Sequence, residues 1–68
     1  MGGGVIKIRI TGAGSYVLMT AIAKQLREIG LTVAEWMDTK PSEIPGIARR
    51  TEVRGHDVLI TVAEEGPP

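Results

Sequence analysis

Two periods divide this chain. From Val5 to Thr11 apolar and polar positions alternate, with Ile6, Ile8 and Ile10 on one side and Val5, Lys7 and Arg9 on the other. Period-two alternation in β-branched residues predicts a half-buried strand. From Tyr16 onward the period lengthens. Leu18, Ala21, Ile22, Leu26 and Ile29 recur at spacings of three and four, which predicts an apolar stripe on a helix from about Tyr16 to Ile29. Lys24, Arg27 and Glu28 fall opposite that stripe. Ser15 stands where an N-cap belongs, and Gly30 followed by Leu31 has the form of a Schellman stop.

Leu31 to Trp36 reads as a second strand. A strand, a helix and a strand in such quick succession imply a right-handed βαβ unit with parallel strands. Asp38 to Ile47, interrupted by Pro41, Pro45 and Gly46, reads as a loop. Thr51-Glu52-Val53-Arg54 and Val58 to Val62 then flank Gly55-His56, and a two-residue turn with glycine first suits a type II′ hairpin. The expected architecture is therefore α/β, more narrowly α+β. It is a single β-α-β-β domain over 5–63, with one helix packed on one face of a small three- to four-stranded sheet and a C-terminal β-hairpin. Residues 1–4 are expected to form a flexible lead and 64–68 a flexible tail. One helix shelters one face, so the other face is expected to be open to something else.

Size sharpens that expectation. A chain of 68 residues is one domain, and at this length only about 60 % of the unfolded surface is buried. Without cysteine, and with His56 the only histidine, disulfide staples and a conventional zinc cluster are excluded. Stability must come from the core or from association. Eight basic and eight acidic side chains balance, so bulk charge gives no general attraction to nucleic acid or membrane. No apolar run approaches the roughly 20 residues of a membrane span, and no signal-peptide pattern opens the chain. A cytoplasmic protein without cofactor or metal is the expectation.

Four places invite a functional reading. Gly12-Ala13-Gly14-Ser15 joins the first strand to the helix, where backbone N–H groups and the helix dipole favour an anion. The dinucleotide fingerprint needs a third glycine where Val17 stands, the P-loop needs a lysine that is missing here, and Glu35 or Asp38 lies near the position of a ribose-binding acid. The simpler reading is that the glycines only let the strand turn into the helix. The uncovered face would carry Lys7 and Arg9, then Arg50, Glu52 and Arg54, then Leu59. Such a face has the electrostatic half of a single-stranded nucleic-acid platform, but Tyr16 and Trp36 are the only aromatics for stacking. Trp36, beside Met37 and near Ile44, Pro45 and Ile47, either closes the core or anchors a partner. His56 falls in the expected turn, exposed and without a nucleophile beside it. No acid–base pair is set for catalysis, so no enzymatic activity is expected.

The opening Val5-Ile6-Lys7-Ile8-Arg9-Ile10-Thr11-Gly12 and the closing Asp57-Val58-Leu59-Ile60-Thr61-Val62-Ala63-Glu64-Glu65 resemble small β-α-β-β proteins carried by phages and plasmids, whose first strand reads I-R-I-T-G. The resemblance covers most of 5–63 and brings no site residues with it. It implies an accessory protein that acts by binding. The leading expectation is thus a non-enzymatic interaction module that pairs with a protein partner or with itself as a homodimer. Trp36, Ile44, Ile47 and Leu59 would be its apolar contacts, and Arg9, Arg50 and Arg54 would set orientation. Phosphate binding at Gly12, Ala13, Gly14 and Ser15 is the alternative, followed by single-stranded nucleic-acid binding on Lys7, Arg9, Arg50 and Arg54.

Overall fold

The computed structural model describes residues 4–63. The tail at 64–68 and all of the lead except Gly4 lie outside the described residues. The elements are β1 (Ile6–Thr11), α1 (Ser15–Glu28), β2 (Val33–Trp36), a 3-10 turn (Pro41–Glu43), α2 (Ile44–Val53) and β3 (Val58–Ala63). The three strands form one sheet in the order β1-β3-β2, and both pairings are parallel. This is a small α+β domain with two helices. Among the described residues no helix is long and apolar enough to cross a membrane.

The last strand sits in the middle, and that organises everything else. Val58, Ile60 and Val62 point to one face, where Met19 and Ala23 of α1 meet them together with Val33. Leu59 points to the other face and packs beneath Ile47 and Ala48 of α2, with Val5 and Ala34 beside it. All of β3 from Val58 to Val62 is buried. A strand apolar on both sides belongs to a sheet covered on both faces.

Three expectations are corrected here. The C-terminal hairpin is absent: Thr51–Val53 are the last turn of α2, and β3 runs parallel to its neighbours. Gly55 is not the first residue of a II′ turn but the C′ residue of α2, at φ +85°. Its N–H donates to Glu52 O (3.0 Å) and that of His56 to Thr51 O (3.1 Å), which is a Schellman stop. The region read as loop holds the start of a second helix. Ile44, Ile47, Ala48 and Thr51 follow a helical spacing, and Pro45 sits in the first turn, where it forfeits no helical hydrogen bond. The sheet therefore has no bare face, and one helix packs on each side.

The first half keeps closer to expectation. α1 stops as foreseen, with Gly30 N–H on Arg27 O (3.0 Å) and Leu31 N–H on Leu26 O (3.1 Å). Its start differs. The N-cap is Gly14 at φ +84°, and Ser15 is the first helical residue. The Ser15 hydroxyl donates back to Gly12 O instead of capping.

Asp57 locks the amino ends of β2 and β3 together. Its carboxylate accepts the Thr32 backbone N–H (3.0 Å) and hydroxyl (2.9 Å), while its own N–H donates to Thr32 O (3.0 Å). These bonds, the backbone one first, hold the carboxyl below the usual carboxylate range. A carboxylate depressed on folding stabilises the native state above its unfolded pKa, and that contribution disappears as pH falls through the folded value. The urea midpoint should therefore drop on acidification below about pH 4, and Asp57→Asn should flatten that part of the profile. An acid limb identical in the two proteins would show the bonds between Asp57 and Thr32 to be without consequence.

Candidate functional site

β2 ends in Trp36, which pairs with Thr61 of β3 on the face that α2 covers. α2 turns Ile47, Ala48 and Thr51 inward. At 100° per residue its Arg50 and Arg54 then lie together on one flank, and that flank faces Trp36. Two adjoining hollows result, and Trp36 and Arg50 wall both of them. The larger, about 490 Å³, continues to Met37, Ser42, Glu43 and Ile47. The smaller, about 180 Å³, continues to Thr51, Arg54 and His56. Trp36 keeps 38 % of its surface exposed and Met37 keeps 59 %.

The loop after β2 is held from two sides. Asp38 adopts φ +57°, a left-handed conformation that aspartate tolerates better than most residues, and its carboxylate accepts the Tyr16 hydroxyl from the first turn of α1. Thr39 returns to the sheet, its N–H donating to Val62 O (3.1 Å). Arg9 reaches across β3 to grip it. Nη1 donates to Thr39 Oγ1 (2.9 Å) and Thr61 Oγ1 (3.3 Å), and Nη2 to Thr39 O (2.9 Å). The 3-10 turn that follows begins with Lys40 N–H on Glu43 Oε1 (2.9 Å). The walls of the cleft are thus built from fixed elements.

Of the residues singled out by sequence, Trp36, Ile47, Arg50 and Arg54 come together here. Ile44 is half-buried at the start of α2, and Arg9 is a strut inside the fold. Leu59, expected on an open face, lies at 0 % exposure beneath α2 and is out of reach of a partner. Arg50 and Glu52, expected with Arg54 on a third strand, stand on α2 and Arg54 is its C-cap, so they do not share a sheet face with Lys7 and Arg9. The Gly12–Ser15 turn lies at the carboxyl end of β1, with Ala13 and Gly14 exposed and Ser15 buried. His56, expected to be exposed, is half-buried on the wall of the smaller hollow, and its Nδ1 is buried without a hydrogen-bond partner among the described residues.

Sequence reasoning missed Met37, Ser42 and Glu43 as cleft residues. The proline at position 41 read as punctuation, whereas Pro41–Glu43 forms the 3-10 turn that carries two of the three into place. Charge divides between the hollows: Asp38 and Glu43 stand with Arg50 in the larger, whereas the lining of the smaller carries Arg50 and Arg54 and no carboxylate. Among the described residues the ion pair is Arg27–Glu35 (2.7 Å), which leaves Arg49, Arg50 and Arg54 without a carboxylate partner there. Among the described residues no group of three or more metal-ligating side chains comes together. The chain matches no family model, no curated protein and no solved structure.

Proposed function

We propose that this protein is a non-enzymatic interaction module of the accessory type that its first strand resembles, and that it grips an acidic segment of a partner protein in the cleft between β2 and α2. The observation that carries this reading is the position of Trp36, half exposed as the shared wall of two hollows beside arginines that lack partners among the described residues. Tryptophan and arginine dominate binding hot spots because they bury large surfaces and offer fixed donors. A carboxylate from the partner would meet the Arg50 and Arg54 guanidiniums bidentately. An apolar side chain next to it would rest on Trp36 and Ile47.

A displayed library of random peptides tests this. Selection on the wild-type protein should enrich Asp and Glu next to an aliphatic or aromatic residue. Trp36→Ala should weaken the selected peptides by about ten-fold or more without loss of helical circular dichroism. Peptides that bind Trp36→Ala as tightly as wild type would refute the reading. A second reading rests on one observation, the parallel sheet. In open α/β sheets ligands collect beyond the carboxyl ends of the strands, and the Gly12–Ser15 turn lies there. Phosphate binding at that turn is the alternative function.

A further inference from the structure

The two outer strands of the sheet are finished differently. At β2 the outward edge is partly covered from within, by a side chain that takes one of its carbonyls. Thr32 O accepts the Val58 N–H, so by alternation Val33 and Glu35 turn their backbone groups outward. Arg27 then donates from Nη2 to Val33 O (3.0 Å) and pairs with Glu35 (2.7 Å). With four residues and a side chain across it, β2 is a blunted edge.

β1 is six residues long and has no such cover among the described residues. Ile6 N–H donates to Asp57 O (3.0 Å) and Gly12 N–H to Ala63 O (3.2 Å). The even-numbered residues therefore face β3, and Lys7, Arg9 and Thr11 turn their N–H and C=O outward. The side chains beside this edge are apolar on one face and basic on the other. On the α1 face, Ile6 is 59 % exposed, with Ile8 and Ile10 half-buried behind it. Arg27 and Tyr16 mark the side of α1 that faces β2 and the loop after it. Leu18 lies two residues from Tyr16, and Ile29 two from Arg27. Each is turned by about 200°, toward β1, and they stay 50 % and 72 % exposed. On the α2 face, Arg9 leans inward to Thr39, and Lys7 stands exposed without an ion pair among the described residues.

We propose that the β1 edge accepts an extended segment of a partner protein as a fourth strand, with aliphatic residues packed under Leu18 and Ile29 and an acidic residue beside Lys7. Main-chain bonds to Lys7, Arg9 and Thr11 would supply affinity, and the alternating side chains would supply selectivity. A second copy fits worse. Antiparallel pairing of two β1 strands about a two-fold axis brings Lys7 and Arg9 of both copies onto one face, and like charges opposite each other are destabilising. This site is on the opposite edge from the Trp36 cleft and stands or falls independently of it.

Amide hydrogen exchange decides the matter, with two short synthetic peptides as probes: one alternating valine and glutamate, the other valine and lysine, each at up to about 1 mM. The glutamate peptide should slow exchange at Lys7, Arg9 and Thr11 by about ten-fold or more, and Trp36→Ala should leave that slowing intact. Lys7→Glu should reverse the preference toward the lysine peptide. Lys7→Pro should abolish binding of both while keeping the unfolding midpoint, because the N–H it removes points away from β3; if Lys7→Pro does not fold, the reversal by Lys7→Glu is decisive by itself. The proposal is overturned if neither peptide slows these amides or if both do so equally. It is also overturned if the amides are already slow without peptide in a protein that sediments as a dimer, since a second copy then holds the edge.

Discussion

Replacing Leu59 by alanine should remove about 2–5 kcal/mol of stability, a large share of the whole. A chain of 68 residues has a total of about 3–10 kcal/mol to lose at the usual 0.05–0.15 kcal/mol per residue. Leu59 has no exposed surface and is the centre of the smaller cluster, under Ile47 and Ala48. α2 has ten residues, and helices shorter than about 12–15 residues are marginal in water on their own. The cavity left by Leu59→Ala should therefore lower the urea midpoint and cost helical signal at 222 nm together. Leu59→Met, which conserves volume, should cost less than about 1.5 kcal/mol. Were Leu59 on an open docking face, alanine would leave the midpoint almost where it was and weaken only association. That result would refute the two-sided core.

Leu59 also shows where the residues spoke plainly and where they did not. The alternation in Ile6–Thr11 and the three-four spacing in Leu18–Ile29 are long enough to admit one interpretation, and β1 and α1 stand within a residue or so of the positions these patterns imply. Gly30 stops α1 in the way its position suggests. The second half is ambiguous for a physical reason. Gly55 satisfies a left-handed residue in a hairpin turn and in a helix C′ equally well, and the choice depends on what precedes it. Thr51 and Val53 are β-branched and argued for a strand, yet Ile44, Ile47, Ala48 and Thr51 already held a helical spacing. Proline at positions 41 and 45 masked that spacing, because a proline in the first turn of a helix looks the same in sequence as one in a loop. The unbroken apolar run from Val58 to Ile60 was the other clue. Burial on both sides is what such a run means in a parallel sheet. Of the candidate site, Trp36, Ile47, Arg50 and Arg54 were legible as residue types without their geometry. Moving Arg50 and Arg54 from a strand to a helix put them beside Trp36, and it is this juxtaposition that makes a cleft.

The second large effect is expected at Arg9. Arg9→Met keeps the length of the stem and removes the guanidinium, and it should cost about 2–3 kcal/mol, since hydrogen bonds from a charged donor contribute about 1.5–3 kcal/mol each and do not add fully. Thr39 and Thr61 are both nearly sealed from water, so the oxygens that Arg9 serves find no ready substitute. Arg9→Lys should recover only part of the loss, because one ammonium cannot reproduce a planar fork that meets three acceptors. Among the described residues Thr39 is tied to β3 at Val62 and to β1 through Arg9, so loosening that strut should free the segment from Met37 to Lys40. Amide exchange at Thr39 should quicken, and the emission of Trp36, the sole tryptophan, should move to longer wavelength as water gains access to the cleft. A role for Arg9 in steering a partner predicts something else: unfolding and Trp36 emission as in wild type, with weaker binding of the selected peptides. The strut and the steering group are thus separated by measurements on the free protein, before any partner is added.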